Sequence, residues 1–124
     1  MRHAVAGRKL GRDTNSRRAL LNNLANSLFL NGQLKTTQAK AKFARPYVEK
    51  LITMAKRDRL WSNRILASTL GKVAFSRLTR DIAPGFGQRN GGYTRIINLN
   101  FRRGDSAPMA KLEIVEWDKS SAKS

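Results

Sequence analysis

Apolar side chains recur every three or four positions in four stretches of the chain, which is the pattern of amphipathic helices. The first of these apolar stripes consists of Leu20, Leu21, Leu24, Ala25 and Leu28. The pattern predicts four helices, at about 15–31, 38–57, 62–70 and 72–83. Gly32 is placed to end the first helix, and Pro84-Gly85 closes the last, because glycine and proline are common at helix ends.

Three short segments have the character of β-strands, at about 33–37, 93–100 and 109–117. In the last of them Leu112 and Ile114 alternate with Lys111 and Glu113, as expected of a half-buried strand. The segment 33–37 ends at Thr37, which can cap the second helix. The order helix, strand, three helices, two strands predicts a two-layer α+β domain with a small mixed sheet and helices on one face.

The length of 124 residues suffices for one domain and is too short for two ordinary ones. Residues 1–13 lack apolar periodicity and contain two glycines, so they are predicted to form a basic, extended arm. We predict a single α+β domain at 14–118 and a short disordered tail at 119–124. No apolar run approaches the ~18 residues of a membrane span, and the N-terminus lacks an apolar signal region. A cytoplasmic, soluble protein is therefore expected.

Charge changes this picture more than any other property of the sequence. The formal net charge is +17, from 25 Lys and Arg against 8 Asp and Glu. Residues 1–45 hold ten of the basic side chains and a single acid, Asp13. Such a chain repels itself unless a polyanion neutralises it, which points to nucleic acid as the partner. An anionic membrane is the second candidate, and it would require an amphipathic basic helix with bulky apolar residues opposite the charges.

The sequence offers little material for catalysis or for metal binding. Cysteine is absent and His3 is the only histidine, so a disulfide, a thiol nucleophile and a Cys- or His-based metal cluster are all excluded. Glu113 and Glu116 lie close on the last predicted strand, but alternation directs them to opposite faces. His3 in an extended arm has no group to orient it for proton transfer. We therefore expect no enzyme, no cofactor and no small-molecule substrate.

The arm supplies the first candidate contacts to RNA, since a flexible basic segment can follow a phosphate backbone and become ordered on binding. Its candidate residues are Arg2, His3, Arg8, Lys9 and Arg12. The alternative is a solvated tail that only aids solubility. With no acid but Asp13 to balance the arm, the sequence favours nucleic-acid contact.

Arg17 and Arg18 lie in the first turn of the first predicted helix, where the helix dipole disfavours cations. A phosphate at this N-terminus would be held by free backbone N–H groups and by both guanidinium groups. The alternative is two exposed arginines whose small cost the protein tolerates. The position of the two arginines favours the interpretation that they bind a phosphate.

The glycine-rich stretch 85–92 resembles phosphate-binding loops only superficially, because it lacks the GxxxxGK[ST] pattern and no helix follows it. Its glycines can bring the backbone close to RNA, with Arg89 and Arg95 nearby, although a purely structural connector fits almost as well. Arg102 and Arg103 are placed at the tip of the last hairpin, where the alternative is again a solvated tip.

Two aromatic residues near the last strands, Tyr93 and Trp117, could stack on bases. Aromatic side chains on strands more often pack against the sheet, so the core is the expected place for both.

Several longer strings of residues coincide with those of one family. MRH at 1–3, GRKLGR at 7–12, RRALLNNLANSL at 17–28, and above all GGYTRI at 91–96 with FRRGDSAPMAKLEIVE at 101–116 closely resemble the bacterial large-subunit ribosomal protein seventeen family. The resemblance extends in order over residues 1–117. Arg2, His3, Arg8, Arg12, Arg17 and Arg18 match the basic N-terminal pattern of the family, and Ala4 and Val5 depart from it.

The resemblance implies a structural constituent of the large ribosomal subunit. It implies binding to large-subunit ribosomal RNA, neighbouring ribosomal proteins near the exit-tunnel side, and a role in ordering RNA during subunit assembly. An architectural DNA-binding protein remains the alternative, although the chain has neither heptads nor a recognition-helix pattern.

Overall fold

The structure is a computed structural model, and it describes residues 14–115. The predicted arm at 1–13, the predicted tail at 119–124 and the end of the last predicted strand lie outside the described residues. The elements, in chain order, are α1 (Thr14–Asn31), β1 (Gln33–Thr37), α2 (Gln38–Arg57), α3 (Leu60–Thr69), α4 (Lys72–Arg77), a π-helical turn (Leu78–Ile82), a last α turn (Ala83–Gly85), β2 (Thr94–Phe101) and β3 (Pro108–Ile114). The predicted order and the α+β class are confirmed.

Local signals in the sequence set the ends of the first two helices. Gly32 follows α1 with φ +80, in the left-handed region that glycine adopts without strain. Thr37 caps α2, because its side-chain oxygen accepts a hydrogen bond from the Lys40 N–H at 3.3 Å. Helix α2 then ends at Asp58, which has φ 49 and donates its N–H to the Ala55 carbonyl at 3.2 Å.

The helix that begins at Lys72 runs further than 83, the end that the sequence predicts. Directly after α4 it widens into the π-helical turn, and it then closes in the α turn that ends at Gly85. Pro84 explains the widening, since proline has no N–H and its ring clashes with the carbonyl four residues earlier, that of Arg80. The wider turn relieves this clash inside the helix.

The sheet is purely antiparallel, so the prediction of a mixed sheet is wrong. Its strand order is β1-β3-β2, and both outer strands run antiparallel to β3. A mixed sheet would require β1 beside β2, because these two strands run in the same direction. Instead β3 lies between them, and its register places Leu34 and Ile96 on either side of Leu112.

The core lies between one face of the sheet and the helical layer. Ala110, Leu112 and Ile114 of β3 point into it and are almost fully buried. The largest buried apolar side chains of the helices pack into the same core: Leu28, Phe29, Val48, Ile52, Leu66 and Leu78. Within residues 14–115, no helix covers the other face of the sheet, which presents the remaining side chains of β1, β2 and β3.

Tyr93 belongs to this core, which confirms its expected place. It is 2% exposed, and its ring centroid lies 5.0 Å from that of Phe86. Trp117 lies outside the described residues. Among residues 14–115, no helix is both long and apolar enough to cross a bilayer.

Candidate nucleic-acid interface

The described residues carry far more positive charge than they neutralise among themselves. Residues 14–115 contain nineteen Lys and Arg but only five Asp and Glu. The ion pairs within this part of the chain are Arg45–Glu49 (3.3 Å), Arg95–Glu113, Arg102–Asp105 (2.6 Å) and Lys111–Glu113 (3.5 Å). They engage four of the nineteen cations, so most of the positive charge remains available to a partner.

Arg17 and Arg18 line one side of a cleft between the start of α1 and the middle of α2. The cleft has a volume of about 440 Å³, and Phe43, Tyr47 and Thr69 form much of its remaining wall. No acidic side chain lies in the first turn of α1. Two guanidinium groups beside a helix N-terminus make a suitable environment for an anion. The structure thus brings these two predicted residues together in one cleft.

Tyr47 contributes a polar side chain to the lining of this cleft. Its hydroxyl donates a hydrogen bond to Asn22 Oδ1 at 2.5 Å, which connects α2 to α1. Burial raises the pKa of Tyr47, and the positive charge of Arg18 opposes this shift in part. The phenol therefore stays neutral at physiological pH, and the charge of the cleft comes from its arginines.

The glycine-rich loop holds Arg89 against its own backbone. Arg89 Nη1 donates to the Gly92 carbonyl at 3.2 Å, and the Arg89 carbonyl accepts from Lys56 Nζ. Lys56 also donates to the Tyr93 hydroxyl at 2.9 Å and lies 5.0 Å from the centre of that ring. Gly91 has φ +92, a conformation that favours glycine. The loop is therefore an ordered connector, and its arginine is partly used in holding it.

The two arginines of the hairpin tip have different surroundings. Arg102 donates to both carboxylate oxygens of Asp105, at 3.1 and 2.6 Å. This hydrogen bonding, together with the N–H of Ala107, lowers the pKa of Asp105 to about 2. Arg103 is exposed and makes no ion pair within the described part of the chain. Arg103 therefore presents the uncompensated charge of the tip.

The uncovered face of the sheet carries cations that the sequence analysis did not identify. Lys35 of β1 is paired directly with Lys111 of β3, and Lys111 is paired with Ile97 of β2. Like charges opposite each other on neighbouring strands destabilise a sheet. Glu113 accepts from Arg95 and contacts Lys111, but Lys35 is exposed and makes no ion pair among residues 14–115.

No signal in the sequence could have indicated this pair. The two lysines are 76 positions apart, and they meet only because β1 pairs with β3 in one particular register. The structure therefore adds Lys35 and Lys111 to the candidate contacts of the sheet face, beside Arg95.

The predicted contacts that lie within residues 14–115 are spread over the surface and do not converge on one point. Arg95 and Arg102 lie near opposite ends of β2, about 23 Å apart at the usual rise of a strand. Arg17 and Arg18 lie in the helical layer. The candidates Arg2, His3, Arg8, Lys9 and Arg12 lie outside the described residues. Such a distribution suits an extended polyanion better than a small ligand.

The acidic residues are arranged for structure and not for metal binding. Within residues 14–115, no three His, Cys, Asp or Glu side chains lie together as a metal site requires. Glu49 accepts from Arg45 and from the Thr94 hydroxyl, at 3.3 and 2.8 Å, and so connects α2 to β2. Asp58 accepts from Asn63 at 3.1 Å at the corner between α2 and α3.

Comparison with known proteins gives consistent matches along the chain. The family model described as ribosomal protein L17 matches residues 20–115. A protein of Akkermansia muciniphila named large ribosomal subunit protein bL17 is 50% identical over 123 residues, which are 98% of this chain and 90% of the relative. Proteins of the same name from Acidobacterium capsulatum and Nautilia profundicola are 49% and 50% identical. They cover 93% of this chain in both cases, and 72% and 98% of the relatives.

Proposed function

The chain belongs to the ribosomal protein L17 family, and we propose that it binds large-subunit ribosomal RNA by phosphate neutralisation and shape fit. The family is one of structural ribosomal proteins and not of enzymes. As a constituent of the large subunit, this protein supports subunit assembly and translation. Its location is then the ribosome, and its other partners are neighbouring large-subunit proteins near the exit-tunnel side.

The surplus of cations without carboxylate partners carries this proposal. The nineteen Lys and Arg of residues 14–115 face five acids, and the ion pairs within this range engage four of these cations. Every phosphate bound by a Lys or Arg releases condensed counterions from the RNA. The free energy of binding therefore comes largely from charge neutralisation and is expected to decrease steeply as salt rises.

Sequence readout contributes little in this mechanism. The major groove of A-form RNA is deep and narrow, so duplex RNA is recognised mainly through its shape, its phosphates and its 2′-hydroxyl groups. The cleft at Arg17 and Arg18, the face with Lys35 and Lys111, and the tip at Arg103 lie on different parts of the surface. They suit phosphates from several RNA segments, which the protein would hold close together against their mutual repulsion.

The first experiment measures sedimentation of the native protein with large subunits through a moderate-salt wash. We expect it to remain with the subunit. Binding to transcribed large-subunit ribosomal RNA should weaken by about 10³- to 10⁵-fold between 50 and 200 mM salt if six to ten phosphates are contacted. A protein that sediments free of ribosomes would contradict the proposal. Binding to duplex DNA as tight as binding to this RNA would instead favour the alternative, an architectural DNA-binding protein.

A pair of charge-matched variants tests the cleft. Arg17→Gln with Arg18→Gln removes two charges from the cleft, whereas Lys72→Gln with Arg80→Gln removes two exposed charges from the helix that starts at Lys72. We expect the first double variant to weaken RNA binding and to reduce its salt dependence more than the second. Equal losses would show that net charge matters and that the cleft does not.

Deletion of residues 2–12 tests the arm in the same assay. We expect weaker RNA binding with a nearly unchanged circular dichroism spectrum. Loss of the folded spectrum would assign the arm a structural role instead.

A further inference from the structure

The corner between α2 and α3 exposes a tryptophan among arginines, and neither the sequence analysis nor the sites above account for it. Trp61 lies in the first turn of α3 and is 50% exposed, and Ile65, one turn later on the same side, is 45% exposed. Arg57, Arg59 and Arg64 are all exposed and lie within four positions of Trp61. We refer to these five residues as the α3 patch.

Helix α3, which carries most of the α3 patch, is anchored in the core of the domain. Ser62 and Leu66, on the side of α3 that faces the core, are fully buried. The Ser62 hydroxyl donates to the Arg59 carbonyl at 3.0 Å and fixes the start of the helix. An aromatic side chain on a helix anchored in this way is a rigid surface, so a ligand that stacks on it loses little entropy by ordering the protein.

The charge of the α3 patch is not balanced by the domain. Arg57, Arg59 and Arg64 take part in no ion pair among residues 14–115. The one acid in the segment, Asp58, accepts a hydrogen bond from Asn63 instead. Three guanidinium groups without ion-pair partners among residues 14–115, placed around an exposed indole, repel a basic surface and attract a polyanion.

We propose that the α3 patch binds an unpaired nucleotide of RNA, with its base stacked on Trp61 and the adjacent phosphates held by Arg57, Arg59 and Arg64. An indole can stack on any base, but only on a base that has left the helical stack, as in a loop or a bulge. Ile65 extends the apolar surface beside the ring. This inference rests on the proposed binding of ribosomal RNA and adds a second mode of contact to the phosphate neutralisation described above.

The experiment compares two polyanions, of which only one has bases. Polyadenylate supplies unpaired purines and phosphates, whereas heparin supplies negative charge alone. We expect both to bind the full-length protein, but only polyadenylate to quench the fluorescence of Trp61. The chain has two tryptophans, so Trp61→Ala, which leaves Trp117, and Trp117→Phe, which leaves Trp61, assign the quenching from both sides.

The affinities of variants for the two polyanions distinguish the contribution of base stacking from that of charge. Trp61→Ala should weaken polyadenylate binding by about 5- to 150-fold and leave heparin binding unchanged, because stacking on an aromatic side chain contributes that much per base. Trp61→Phe should retain most of the affinity. Arg64→Gln should weaken the binding of both polyanions. Val73→Ala is the matched control, since Val73 is 55% exposed on α4 and lies outside the α3 patch.

The outcomes distinguish this inference from the proposed function. If Trp61→Ala binds polyadenylate as the wild type does while both polyanions still bind, stacking at the α3 patch is disproved and RNA binding through phosphates stands. If neither polyanion nor ribosomal RNA binds, the proposed function itself is wrong. If the wild type self-associates in sedimentation velocity and Trp61→Ala abolishes this without changing polyadenylate binding, the patch is a protein interface and the inference is overturned.

Discussion

Replacing Lys35 by Glu should stabilise the free protein while weakening its binding to RNA. In the wild type the ammonium groups of Lys35 and Lys111 project from directly paired positions on the uncovered face of the sheet. Lys35→Glu replaces this repulsion by attraction. Glu113, which lies diagonally across from position 35, opposes part of the gain, but a diagonal neighbour is about 7–8 Å away and directly paired residues about 4.5–5.5 Å.

The expected gain follows from these pairings. A directly opposed pair of charges stabilises or destabilises the sheet by about 0.2–1 kcal/mol, according to the signs of the charges. Because the substitution replaces a repulsion by an attraction, it changes the stability by twice this amount. After the repulsion from Glu113 is subtracted, we expect about 0.5–1 kcal/mol of additional stability at low salt. For a domain of this size that gain raises the Tm by about 2–8 °C. At about 1 M salt, where the Debye length is about 3 Å, most of the difference should disappear.

Two assays check the two halves of this prediction. Thermal unfolding followed by circular dichroism compares the wild type, Lys35→Glu and Lys35→Gln, and the neutral variant should fall between the other two. Filter binding to large-subunit ribosomal RNA should show a smaller salt dependence for Lys35→Glu, by roughly one phosphate contact. A Tm at or below that of the wild type at low salt would refute the repulsion. An unchanged salt dependence would remove the sheet face from the RNA interface.

Three further predictions concern the fold itself. Thr37→Ala removes the cap of α2 and should cost about 1 kcal/mol in thermal unfolding, whereas Thr37→Ser should be nearly neutral; equal losses would show that the hydroxyl does not cap the helix. Leu112→Ala empties the centre of the middle strand and should lower the free energy of unfolding in urea by about 2–5 kcal/mol, and a loss below 1 kcal/mol would contradict its place in the core. The carboxyl of Asp105 should titrate by NMR near pH 2 and not near its ordinary pKa of 3.8. Because its pKa is lower in the folded state, its stabilising contribution is complete above pH 3.8 and is lost as the pH falls towards 2. Arg102→Gln should raise the midpoint of the Asp105 titration. An unchanged midpoint would show that Arg102 does not lower the pKa of Asp105.

The elements of this fold were predictable where a local signal defines them. Helix α2 has the predicted bounds because Thr37 caps one end and the apolar stripe stops near the other. The last helix was predicted less well, because Pro84 is normally a sign of termination. Here the π-helical turn accommodates the proline, and the helix continues to Gly85. The pairing of β1 with β3 could not be predicted, since it joins strands separated by three helices and depends on how those helices pack.

The candidate interface shows the same division between local and long-range information. The start of α1 with Arg17 and Arg18 could be predicted from the sequence, and the structure adds the cleft that both arginines line. The ion pair between Arg95 and Glu113 depends on strand register, so the sequence could not show that this arginine is partly neutralised. Arginines and a tryptophan are neighbours at 57–64 in the sequence, but it is the structure that shows Trp61 exposed while Ser62 and Leu66 are buried.

Most of the few acidic residues of the domain lie where they contribute to its folded structure. Glu49 connects α2 to β2, Glu113 lies between Arg95 and Lys111 on the sheet, and Asp105 holds the hairpin loop through Arg102. Glu49 and Glu113 thus join different elements, whereas Asp105 and Arg102 form an exposed ion pair within one loop. The ion pairs of these three acids engage four cations, and the five acids of residues 14–115 are far too few to neutralise the nineteen Lys and Arg of the same range. The free domain therefore retains a repulsion between its cations, and under the proposed function the relief of this repulsion by bound RNA would contribute to the free energy of binding.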